Sequence, residues 1–169
     1  LHKKIGMSLV QDPEVADNAE LCAAAVDQIN LCTEILDPVE RALFARLNLV
    51  AGKHSIAASN FEQARGYFES GLLLLHANPW QRQYSLCMEL HEMSVIVSYM
   101  DGKIEVVSSR LDSIVTNASF DDALNSRALQ AKLLASQQRF SEAVNVVLAV
   151  LSHFGEEFPR NASLAYVTS

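Results

Sequence analysis

Cys87 and His91 stand four residues apart, a spacing that puts a thiolate and an imidazole on one helix face within reach of a common metal ion. A zinc site needs three or four protein ligands. No second pair faces these two from the sequence, so no metal site is expected and the pair reads as a buried thiol beside a groove histidine. Glu89 and Glu92 are the nearest approach to paired carboxylates. At i and i+3 on an amphipathic helix they read as a solvated face. Gly52-Lys53 in "GKHS" carries the Gly-Lys of a phosphate loop but lacks its upstream glycine. It reads as a helix end or kink. His54, His76 and His153 fall near expected helix C-termini, where an imidazolium complements the helix dipole. Trp80, just after Asn78-Pro79, reads as a clasp that packs one hairpin on the next. Kinase, HExxH and GxSxG signatures are absent from the sequence. No catalytic residue and no cofactor is expected.

The elements that would carry these residues are helices. Half of the 169 residues are apolar, which permits a real core. The apolar runs Leu72–Leu75 and Val146–Leu151 fall far short of the roughly 18 residues that span a bilayer. The N-terminus has neither the apolar stretch nor the cleavage site of a signal peptide. A net charge of −7 with scattered basic residues disfavours nucleic acid. Three cysteines without a CxxC spacing argue against a disulfide framework and fit a reducing cytoplasm. The sequons at Asn117 and Asn161 read as chance matches. The chain begins with Leu1, which suggests a fragment of a larger protein.

Breakers divide the chain into eight expected helices, about 1–10, 14–31, 38–54, 60–76, 82–100, 103–117, 121–138 and 140–154. Asp12-Pro13 and Asp37-Pro38 each offer a cap before a proline, and Glu40 completes a capping box. Ser59 and Glu62 repeat that spacing. One apolar template then recurs from Phe61, Ile104 and Phe140, with matching residues three, seven, ten or eleven, and fourteen positions on. These starting points lie 43 and 36 residues apart (104 − 61 and 140 − 104). A recurrence at that period predicts an all-α superhelix of stacked antiparallel hairpins over 1–159, with a loose tail over 160–169. The expected core is Phe61, Phe68, Leu72, Leu86, Leu90, Ile104, Leu111, Phe140, Val147 and Leu151.

At the joints, "QQRFSEAVNVV" resembles the second-helix pattern of tetratricopeptide (TPR) repeats, and "DGKIEVV" is a weaker copy. The first helices lack the Trp and Gly-Tyr of that pattern. A narrower resemblance rests on "LHKKIG", "LNLVAGKHSIAASNFEQARGYFESGLLLL", "W…YSLCMELHE", "SYMDGKIE" and "HFGEEFP". Their order is similar to the TPR-like region that follows the AAA/NACHT-like ATPase domain in large serine/threonine and hybrid histidine sensor kinases. The resemblance implies a TPR-like solenoid that acts as a non-catalytic regulatory module for protein or peptide partners, above all neighbouring domains of the same parent chain. The alternative is a small-molecule sensor with an apolar pocket between hairpins.

In TPR superhelices the first helix of each hairpin lines the concave face. Placing Ser94 and Ala131 at the close-packing positions points His91, Ser98 and Tyr99 into the groove from one hairpin. Asn125, Lys132 and Ser136 are expected there from the next. Such a set suits an extended peptide, with Lys132 paired to a carboxylate.

Overall fold

Side chains near the chain's polar punctuation fix where its helices begin. The computed structural model describes residues 1–157, and all regular structure among them is helical. The elements are α1 (His2–Leu9), α2 (Ala19–Asn30), α3 (Pro38–Ala57), α4 (Phe61–Leu74), α5 (Pro79–Arg82), α6 (Tyr84–Met100), α7 (Ile104–Asn117), α8 (Leu124–Ser136) and α9 (Phe140–His153), with a 3₁₀ turn at Thr33–Ile35. The element beyond the expected eight is α5, a single turn opened by Pro79. The expected loose tail falls outside the described residues.

The Asp37–Glu40 capping box forms as read, with the Asp37 carboxylate accepting from the Val39 and Glu40 amides. Lys3 Nζ donates to the same Glu40 at 2.6 Å, which ties α1 to the start of α3. Two other starts differ from expectation. Asp12 accepts from the Glu14 amide, but residues 11–17 form turns, and α2 starts only after Asn18 caps Leu21. Asn60, not Ser59, caps α4, accepting from the Gln63 amide.

Ser59 has a different duty. It sits at φ 59°, Gly102 at φ 69° and Gln138 at φ 61°. Each is the left-handed residue between two helices. In each case the following amide bonds the carbonyl five residues back: Asn60 to Ser55, Lys103 to Ser98 and Arg139 to Leu134. This is the Schellman closure. The α3/α4, α6/α7 and α8/α9 joints therefore share one backbone turn, and the recurring apolar template begins two residues after each.

Two compact units are distinguished, Leu1–Ala118 and Ser119–Ser169. In the first, α1 packs on α2, α2 on α3, α3 on α4, α4 on α6 and α6 on α7. The α3 and α4 helices run antiparallel. Gly52 of α3 faces Phe68 of α4, and Gly71 of α4 faces Ala45 and Asn48 of α3. The largest fully buried side chains include Phe44, Phe68, Ile29, Leu74, Leu90 and Leu111. Asn48, buried among them, exchanges amide hydrogen bonds with Asn30 at 2.9 and 3.1 Å and donates to the Phe44 carbonyl. In the second unit α8 packs on α9.

Of the expected core, Phe68, Leu90 and Leu111 are buried, and Phe61, Leu72, Leu86, Ile104 and Leu151 are half-buried. Phe140 and Val147 are exposed, at 62% and 46%. Among the described residues of its unit, the helix packed on α9 is α8. Gly52 also corrects a reading: it lies inside α3, not at an end or kink, and its missing Cβ makes room for the Phe68 ring.

Gly52 and Gly66 should respond oppositely to alanine. Both are helical, so each gains about 1 kcal/mol of helix propensity. At Gly66 an added Cβ meets nothing within 4 Å, and thermal unfolding should show a gain of about 0.5–1 kcal/mol. At Gly52 the Cβ would overlap a packed aromatic ring, and overpacking of about 1–3 kcal/mol exceeds the gain. Equal responses at the two sites would contradict the α3–α4 packing.

Candidate functional site

His91 is a buried polar side chain of the first unit. It is 7% exposed and lies on α6 one turn beyond Cys87. Pro79 opens α5 and brings Trp80 over the imidazole, with ring centroids 5.2 Å apart and planes 19° from parallel. Trp80 also meets Tyr84 edge-on. On the other side, Ser113 Oγ of α7 lies 3.5 Å from Nε2. Nδ1 is sealed from solvent and has no partner. Burial, reinforced by the Arg110 guanidinium, lowers the His91 pKa to about 4, so the ring is neutral near pH 7.

A pocket of ≈ 400 Å³ opens beside this histidine. Glu69, Leu72, Leu73, Leu75, Pro79, His91 and Arg110 line it. A neighbouring pocket of ≈ 510 Å³ includes Arg41, but that guanidinium already donates to the Thr33 and Leu73 carbonyls. Arg110 differs. Its Nε is buried without an acceptor, and no described residue forms an ion pair with it. Cys87 is fully buried, and burial pushes its thiol up to about 11, so it is neither nucleophilic nor a ready ligand. Among the described residues no three His, Cys, Asp or Glu gather as metal ligands.

The six residues assigned to a groove divide three to each unit. His91 lines the pocket just described. Ser98 is fully buried, its hydroxyl unpartnered, and does not reach a groove. The cause is helical phase: Ser94 is buried as expected, and a residue four positions on shares its face. Tyr99, one step further round, is 54% exposed. In the second unit Asn125, Lys132 and Ser136 are all exposed, and Ala131 is buried as the phase requires. Ser136 Oγ is occupied by the Leu133 carbonyl at 2.7 Å.

Lys132 borders a second concavity, the α8–α9 groove of ≈ 400 Å³. Ala131 and Ala135 of α8 and Phe140, Val144 and Val147 of α9 form its walls. The end of α9 is pinned: His153 stacks on Phe120 at 4.0 Å and bonds Asp121, while Arg127 caps the Phe120 ring. Arg110 and the uncovered α9 face escaped the reading from sequence. A lone arginine on an amphipathic helix carries no signal that its partner is missing, and an apolar template does not say whether a neighbour covers it.

The neutral state of His91 has a measurable consequence. The unfolded chain binds its proton near pH 6.5, the folded chain only near pH 4. Between those values the unfolded state holds more protons, so the His91 contribution to stability falls as pH drops through that window. The His91 ring resonances should stay fixed between about pH 5 and 8. A midpoint near pH 6.5 would contradict the sealed, stacked ring.

No family model, curated protein or solved structure matches this chain.

Proposed function

We propose that the chain is a non-catalytic interaction module and that the α8–α9 groove receives an amphipathic helix from a neighbouring domain of its parent protein. One observation carries the reading. Phe140, Val144 and Val147 stand 62%, 54% and 46% exposed along one face of α9, and the small side chains of Ala131 and Ala135 lie opposite in the same groove. Small residues let a third helix approach closely, and aromatic and branched anchors supply its apolar contact. Lys132 at the border suits a carboxylate on the incoming helix. In a stack of hairpins the next helix covers this kind of face. The resemblance to the TPR-like region of sensor kinases supports the same reading, with a cytoplasmic superhelix passing signals between an ATPase switch and downstream domains.

The test is a calorimetric titration with the domain encoded beside this segment, comparing the native chain with Phe140→Ser and Val147→Ser combined. Both side chains are exposed, so the isolated fold should change by less than about 0.5 kcal/mol per site. Affinity should fall at least about tenfold. Unchanged affinity with the fold intact by circular dichroism would remove the groove as the contact surface.

A further inference from the structure

The α4–α7 pocket in the first unit raises a separate question, independent of the α8–α9 surface. Half-buried arginines elsewhere in the chain are engaged: Arg41 by two carbonyls, Arg65 by Glu69 and Asp101, Arg127 by the Phe120 ring. Arg110 lines a pocket without an ion-pair partner among the described residues, although its Nε, like those of Arg65 and Arg127, is buried without an acceptor. Beside it stands a histidine, 7% exposed, whose Nδ1 is also unpartnered. The Arg110 guanidinium thus lines a concavity with apolar walls and has no ion-pair partner among the described residues, and a cation so placed points to something that supplies the acceptor.

We infer that this pocket binds a carboxylate carried on an apolar chain, with Arg110 as its cation and the His91 ring in its wall. The apolar part has matching walls in Leu72, Leu73, Leu75 and Pro79. The charge count selects the ligand class. One guanidinium beside an uncharged imidazole matches one negative charge. Glu69, on the same wall, is held by Arg65 at 3.3 Å, and its carboxylate repels a second negative charge. A phosphate dianion therefore fits poorly, and a planar carboxylate suits the fork of a guanidinium. Two sources share this chemistry: a free aliphatic acid, and the C-terminal carboxylate of a peptide ending in an apolar residue.

The test titrates the whole chain with four probes, followed by amide chemical shifts. Hexanoate is compared with hexanamide, and acetyl-Gly-Gly-Leu with its C-terminal amide. At least one acid should bind saturably and shift the α4, α6 and α7 amides near the pocket. Its amide should bind at least about tenfold more weakly. Arg110→Gln, which breaks no hydrogen bond or ion pair among the described residues, should lose that preference, and Arg110→Lys should keep part of it. Binding by hexanoate alone identifies a small acid, and binding by the peptide alone identifies a chain terminus. No saturable binding by either acid up to about 10 mM, equal binding of acid and amide, or an unchanged preference in Arg110→Gln with an unchanged thermal midpoint would overturn the inference.

Discussion

A helix of fourteen residues is marginal in water, and each helix of this chain depends on the apolar face that a neighbour covers. The constraint is met unevenly. Eight residues of α3 are buried, Asn48, Gly52 and Ser55 among them, because α2 and α4 flank it. Eight residues of α6 are buried, from Cys87 to Ser98. In α9 only Ala143 is buried, although that helix carries the same apolar template as α4 and α7. The difference lies in neighbours, not in sequence. A helix whose template is only partly covered among the described residues presents a surface, and the interaction reading rests on that imbalance.

Close approach makes the covered helices possible. Gly52 admits the Phe68 ring, and Gly71 sits against Leu90 while facing the α3 backbone at Ala45. Two polar side chains taken into this interior are satisfied around α2–α4: Asn48 with Asn30 and the Phe44 carbonyl, and Tyr67 with Asp27 and Gln63. Burial and the Asp27 carboxylate push the Tyr67 phenol up to about 12, so it stays a donor. Between α6 and α7 the pattern reverses. His91 Nδ1, Ser94 Oγ, Ser98 Oγ and Arg110 Nε all lack partners. The Arg110 guanidinium lines a pocket, and there the missing partner has a chemical meaning.

The helical class and most joints were legible because caps and turns are local. Asp37 and Glu40 announce α3, and the template starting at Phe61, Ile104 and Phe140 marks three joints that share one backbone closure. Ser59 was misread as a cap because the sequence does not display a positive φ on a serine, whereas Gly102 advertises its own. The site was less legible. Fixing Ser94 as a packing residue placed it correctly, yet the same phase buries Ser98 and holds His91 against Trp80. Tyr99, Asn125, Lys132 and Ser136 are exposed, since each lies well round the helix from its packing residue. Arg110 could not be found from sequence, because its interest is an absent partner, which only the surroundings reveal.

Hydrogen exchange of the isolated chain under native conditions tests the central claim most directly, since it asks whether burial is as uneven as described. Amides inside α3, α4 and α6 should exchange only through global unfolding, while those of α9 should open locally at a markedly lower free energy. Protection of α9 equal to that of α4 would mean that its apolar face is already satisfied within the chain, and would contradict its assignment as the surface that awaits a partner.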